Sequence, residues 1–377
     1  MYLQREFYRT SASMTRNSTY RVSLPDNGYV TSLLLIFAST PVKDARLDVA
    51  DWRFQDFLSK IEVLGNQATV IKSLTGRMAH VQQWLDGGPL IHSQDHNYGT
   101  STLRCRLPIL FGRKYIDWEY GLDLSRWDDV ELRIANTGSS TYFSADHTVD
   151  ILINYVRDVA GNPFRGYFRT EEWNNYLTVA SEKKYLELPT EYKIRRILMQ
   201  ILTAQDANHM ASRNDYETLS NIELFLKTGL LKVWDASLRY LWYDNLFSDG
   251  RYQLAGAEQY ATTAKGFRVG LGQTFYKAAT RVMHGGAQST YAPGLYPGDD
   301  GQTQRRLATL DNDQDSYLFA GIAPESCAWF NFTTPDDPAG YLDPAAQKTV
   351  QLNYQIGTDS NDAGATIRTV LDRHIPY

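Results

Sequence analysis

The sequence predicts an all-β protein: two tandem eight-stranded jelly-roll β-sandwiches, a double jelly roll, with long loops and one or two short helices in the second lobe. Three observations carry this expectation. Segments of the chain recur in the same order, most of them alternate apolar and polar residues, and clusters of Gly, Pro, Asn and Asp separate them. At 377 residues the chain is long for one domain of ~150 residues. Its 43% apolar and 21% charged residues support a large core and exclude a disordered or collagen-like chain. The 25 Tyr and 8 Trp favour β-packing or extensive interfaces.

The repeats define the lobes. Ser18–Pro25 (STYRVSLP) is echoed by Glu182–Pro189 (EKKYLELP), an offset of 164. Leu58–Val63 (LSKIEV) is matched by Leu219–Leu224 (LSNIEL) at 161, and Trp84-Leu85-Asp86 by Trp242-Tyr243-Asp244 at 158. The offset then jumps to 220 for Leu122-Asp123 with Leu342-Asp343 and for Val130–Leu132 with Val350–Leu352. A drifting offset followed by one jump describes a duplication whose second copy gained an insertion. The expected organisation is an arm at 1–18, a first jelly roll at 19–157, a linker at 158–170, and a second jelly roll at 171–377 with an insertion at about 245–325.

Within each copy the elements follow from period and punctuation. Tyr29–Ala38 is apolar and β-branched, as a buried strand requires. Its partner Lys193–Leu202 has good helix formers and could be amphipathic, but two copies of one ancestor share a fold, so both are expected as strands. Ile61–Gly65 alternates, and Gly65-Asn66 offers a hairpin turn before Ala68–Ile71. Asp129–Ile134 and Thr148–Tyr155 alternate as well. A helix is expected over Phe275–His284, capped by Thr274 and ended by Gly285-Gly286. Cys105 and Cys327 lie 222 apart, close to the 220 offset, and so are read as equivalent buried positions, not a disulfide.

Chemistry is sparse. A net charge of −5 excludes a polycation that coats nucleic acid. The apolar run Leu33–Ala38 is far shorter than the ~20 residues of a membrane helix, and Arg5 and Glu6 stand where a signal peptide needs apolar residues. Two cysteines build neither a disulfide framework nor a four-cysteine zinc site. His92 and His96 have a chelating spacing only on a helix, and their glycine-rich flanks suggest a loop. Asp311, Asp313 and Asp315 resemble the start of a calcium loop, a weak match because Ser316 and Ile322 replace its Gly and Glu. The carboxylate pairs Asp128-Asp129, Asp299-Asp300 and Asp336-Asp337 sit at turn-like sequences, where solvation is the default. No nucleotide fingerprint, nucleophile elbow or cofactor motif is present, so no catalytic residue is expected. Arg5, Arg9 and Arg16 face only Glu6 in the arm, which is read either as a solvated tail or as a contact to a membrane or a neighbouring subunit.

The twin openings Tyr20–Pro25 and Tyr185–Pro189, the segment Lys60–Asn66, the run Leu107–Phe111 leading into Gly121–Leu124, and the closing Ile367–Asp372 together resemble the double jelly-roll major capsid proteins of tailless icosahedral viruses. Bacteriophage members are the nearest in character. The resemblance implies a non-enzymatic virion protein, assembled in the host cytoplasm. It would form a pseudo-hexagonal homotrimer whose partners are neighbouring capsomers, penton and minor capsid proteins and an internal lipid membrane, with no sequence-specific nucleic-acid binding and no cofactor. The alternatives are a two-domain β-sandwich that binds or cleaves glycans, and a minor spike or penton protein, against which the duplication weighs.

Overall fold

The computed structural model describes residues 1–40, 54–87, 90–97, 102–140, 143–159, 161–202, 218–227, 229–250, 252–259, 266–269, 283–284, 295–297, 303–308, 314–321, 324–332, 337–358 and 363–377. The first lobe runs β1 (Tyr2–Met14), β2 (Thr19–Ser23), β3 (Tyr29–Ser39), helix α1 (Phe54–Phe57), β4 (Leu58–Gly65), β5 (Thr69–Leu74) and helix α2 (Gly76–Gly87). It continues through β6 (Leu90–Asn97), β7 (Thr102–Leu110), β8 (Leu122–Asp123), β9 (Val130–Asn136) and β10 (His147–Arg157). The second lobe begins with β11 (Gly166–Leu177), β12 (Lys183–Glu187), β13 (Lys193–Leu202), β14 (Leu219–Leu226), β15 (Leu231–Ala236) and helix α3 (Leu238–Asp249). Then come β16 (Tyr252–Gln259), β17 (Gly266–Val269), β18 (Met283–His284), β19 (Leu295–Pro297), β20 (Thr303–Ala308) and β21 (Gln314–Gly321). The lobe closes with β22 (Cys327–Asn331), β23 (Val350–Ile356) and β24 (Thr366–Pro376).

Each lobe is a sandwich of two four-stranded sheets in the same order. The first pairs β1-β10-β3-β7 with β2-β9-β4-β5, and the second pairs β11-β24-β13-β22 with β12-β23-β14-β15. Alternation sets the faces: Leu33, Leu35 and Phe37 of β3 point into one core with Val149, Ile151 and Ile153 of β10, while Ile197, Met199 and Ile201 of β13 point into the other. Both disputed repeat segments, β3 and β13, are strands, as the duplication requires. A parallel bridge, Thr170 opposite Lys72, joins β11 to β5 and makes one eight-stranded sheet across the lobes. The insertion does not stay with its own lobe: β16 adds in parallel to β6, and β21 and β18 follow, extending the first-lobe sheet.

Several expectations are corrected. Most of the stretch 1–18 is not a free arm, since β1 pairs with β10 from Tyr2–Arg157 to Met14–His147, with bulges between Phe7 and Ala12. Its twin β11 opens at Gly166, within the stretch taken as a linker. The hairpin turn is Asn66-Gln67, at φ 51° and 61°, and Gly65 belongs to β4. Gly65 is needed for another reason: a Cβ there would lie 2.2 Å from the Trp127 ring. His92 and His96 lie on strand β6, where four residues span about 13 Å, not in a loop. The helix expected at 275–284 lies outside the described residues except Met283–His284, which pair as a strand with β21. Helices α1 and α2 in the first lobe were not expected.

The cysteine offset is one residue out of register. Phe37 stands opposite Cys105 in the first lobe, and Gln200, the counterpart of Ile36, stands opposite Cys327. Cys105 therefore faces its own lobe's interior, whereas Cys327 faces out of the second lobe, and both are buried thiols not joined in a disulfide.

Candidate assembly site: the seam between the lobes

The outward face of β11-β24-β13-β22 would be an ordinary solvated sheet surface if the lobes were separate. Instead α2 of the first lobe covers it while β5 continues the sheet beside β11, and Leu198, Cys327, Trp329 and Val370 join the first lobe's core. Trp84 of α2 meets Trp329 edge-on, with ring centroids 5.2 Å apart. Because α2 has protein on both flanks, Met78 and Val81 are buried along with His80, Gln82 and Trp84. A helix buried all round has no amphipathic stripe, and this is why the sequence conceals it.

Polar groups around this apolar patch form one buried network. Lys72 Nζ donates to Thr170 Oγ1 at 2.6 Å, and Thr170 Oγ1 donates to Asp372 Oδ1 at 3.1 Å. Arg195 forks between Asp372 Oδ2 at 3.1 Å and Asp86 Oδ1 at 2.6 Å, while Arg196 reaches the same Asp86 oxygen at 3.2 Å. Burial alone would raise the Asp86 carboxyl, but Arg195 and Arg196 hold it below its ordinary range. Burial likewise opposes the Arg195 charge, yet Asp86 and Asp372 push its pKa upward. At the end of the insertion Glu325 Oε1 lies 2.8 Å from His80 Nδ1, and its carbonyl accepts from Gln200 Nε2 at 3.1 Å. Glu325 and Ser326 hold left-handed φ values of 53° and 57°, a backbone that non-glycine residues adopt only when their surroundings fix it. Seven charged or polar side chains thus pair across the seam, Lys72, His80 and Asp86 from the first lobe with Thr170, Arg195, Arg196 and Glu325 from the second.

Burial lowers the Lys72 pKa to about 8 despite Asp372 and Asp86 nearby. A lysine whose folded pKa lies below its unfolded value binds fewer protons folded than unfolded between those two pH values, so stability rises with pH there. Wild type is therefore expected to gain stability relative to Lys72→Met between pH 8 and pH 10, by up to about 3 kcal/mol. Denaturant titrations of the two proteins at both pH values check this, and a pH-independent difference would refute it.

The residues singled out from sequence are placed as follows. Arg5 and Arg9 are exposed on β1, with Arg9 over the Tyr8 ring at 4.6 Å. Arg16 is tied to its own lobe, its Nη1 donating to the Phe143 carbonyl at 2.6 Å and its Nε 3.5 Å from Asp146. Asp311 and Asp313 lie outside the described residues, and Asp315 occupies β21 opposite Glu258 and His284. Among the described residues no group of three His, Cys, Asp or Glu is placed to hold a metal, and no helix is long and apolar enough to cross a membrane. Sequence reasoning missed Asp86, Arg195, Arg196 and Asp372, although the Arg195-Arg196 pair in the middle of an apolar strand is a readable sign of a buried ion pair.

No protein-family model and no curated protein matches the chain. Solved structures do. The MCP of STIV, Sulfolobus turreted icosahedral virus, is similar at TM-score 0.60 and 9% identity, over 100% of this chain and 97% of its own. The PBCV-1 virus capsid gives 0.55 at 9%, over 99% and 93%. The major capsid protein P2 of bacteriophage PM2 gives 0.51 at 9%, over 99% and 98%. The class of fold is therefore settled: this chain is a double jelly roll, the fold of those viral capsid proteins, from end to end.

Proposed function

We propose that the chain is a non-enzymatic major capsid protein that assembles as a homotrimer of pseudo-hexagonal outline and tiles an icosahedral virion shell. One observation carries the reading: two lobes of identical strand order are locked by a buried seam, so three chains would present six nearly equivalent wedges around one axis. The similarity to viral capsid proteins over the full chain supports it. The partners in this reading are other copies of the chain, penton and minor capsid proteins at the vertices, and a lipid layer beneath the shell, which the cations Arg5 and Arg9 suit as well as they suit a neighbouring subunit. A bacteriophage is the proposed source, with assembly in the host cytoplasm.

The purified protein is expected to run as a trimer of about 129 kDa, three times 42.9 kDa, in size-exclusion chromatography with light scattering. Negative-stain images should show hexagonal particles. A stable monomer that binds an oligosaccharide would overturn the proposal in favour of a glycan-binding protein.

A further inference from the structure

The duplication leaves one seam filled and its counterpart open. In the second lobe the row Glu172–Val370–Leu198–Trp329 runs across β11, β24, β13 and β22; α2 covers it and β5 borders it at β11, leaving Leu198 and Trp329 5% and 1% exposed. The same register positions in the first lobe are Phe7–Leu152–Leu34–Pro108, across β1, β10, β3 and β7. There Phe7 is 55% exposed, and Leu34 and Leu152 are only half-buried. A hollow of about 410 Å³ lined by Leu34, Pro108, Leu110, Tyr115, Gln83 and Arg106 opens where the second lobe carries the bulky Trp329. Gln83 Oε1, buried at this hollow, has no hydrogen-bond partner among the described residues.

The covering elements show the complementary asymmetry. Helix α2, sandwiched between lobes, is buried on both flanks. Its counterpart α3 has the same length and follows β15 as α2 follows β5, but buries only the stripe Leu238, Leu241, Trp242 and Asn245. Its other side exposes Tyr240 and Phe247, 63% and 86%, with Asp244 between them at helical spacing. Strand β15 ends its sheet and exposes Leu231 and Val233, and β1 ends the sheet that bears the open row. In the covered seam β5 and β11, the equivalent edge strands, meet in parallel. The charges also match, since Arg5 and Arg104 are exposed on the open sheet and Asp244 is exposed on the open helix.

We infer that the β15–α3 edge of one copy packs on the β1 edge and the open face of the β1-β10-β3-β7 sheet of the next copy, repeating between chains the seam that joins the lobes within one. The contact is heterologous, with two different surfaces of the chain meeting, and it closes into a ring when each copy uses both. Phe247 enters the hollow beside Leu34, and Val233 lies along β1 near Arg5. The inference rests on the homotrimer reading and names the surfaces that build it.

The test uses the full chain and two exposed positions whose replacement leaves the cores intact. Phe247→Asp and Phe7→Asp are each expected to raise the trimer dissociation constant at least about 30-fold, measured by light scattering on dilution, with an unchanged far-UV circular dichroism spectrum. The pair Arg5→Cys/Val233→Cys, treated with a short bis-maleimide, is expected to give covalent trimers on a denaturing gel, and neither single variant should link. If wild type is trimeric but both aspartate variants stay trimeric, or the double-cysteine variant links no faster than the singles, the docking surfaces are wrong and the trimer reading stands. A monomeric wild type overturns both. Linking of a single variant to itself means an isologous dimer, which also overturns the inference.

Discussion

Asp86→Ala is expected to destabilise the protein by about 3–5 kcal/mol, the cost of removing one partner from a buried charge network. The Asp86 side chain is fully buried, and its Oδ1 receives both Arg195 and Arg196. Without it, Arg195 retains Asp372 and Arg196 retains Asn331, so the guanidinium groups keep neighbours but the seam carries an extra uncompensated positive charge. Asp86→Asn preserves the shape and an acceptor oxygen but not the charge, and should lose less. Since these contacts cross between lobes, the damage should fall on their docking more than on either sandwich. The variant is therefore expected to unfold in two denaturant transitions where wild type shows one. Equal midpoints for Asp86→Ala and wild type would show that the network contributes nothing net.

How much of this was legible depends on which signal each element leaves in the sequence. Strands β2, β4 and β9 reappear as β12, β14 and β23 at the offsets read from the repeats, because core-facing alternation constrains both copies alike. The duplication also settled β13, where local propensity favours a helix and the tertiary environment overrides it. Strand β1 was hidden because an edge strand with bulges buries few residues, and YLQREFYRTSASM shows no clear period of two. Helix α2 was hidden for the opposite reason, since burial on both flanks removes the polar stripe that marks a surface helix. The seam was least legible of all. Lys72, Asp86, Arg195 and Asp372 look like surface charges one at a time, and only the juxtaposition of residues up to about three hundred apart in the chain turns them into a buried network. The single-residue error in aligning Cys105 with Cys327 shows the same limit: a match within one residue finds the right strand, yet reverses which face the side chain occupies.

Trp329→Ala should be nearly as damaging, at about 3–5 kcal/mol, because the indole fills the centre of the seam and is 1% exposed. Its Nε1 donates to Asp249 Oδ2 at 2.8 Å, and its backbone is bracketed by Asn245, which accepts from the Trp329 amide at 3.0 Å and donates to its carbonyl at 2.8 Å. Trp329 therefore connects three elements: its ring meets α2 at Trp84 and α3 at Asp249, and its backbone holds β22 to Asn245 of α3. Trp329→Phe separates the contributions: it keeps most of the apolar volume and an edge for Trp84 but strands Asp249 with Asn331 and Ser248 alone, and should recover more than half of the loss. A double-mutant cycle of Trp84→Ala with Trp329→Ala should return a coupling of about 1 kcal/mol, the contribution of the ring pair beyond simple burial. A coupling indistinguishable from zero would mean that the two indoles are neighbours without mutual stabilisation. The seam would then be held by its charges, and the Asp86 variants would carry the whole effect.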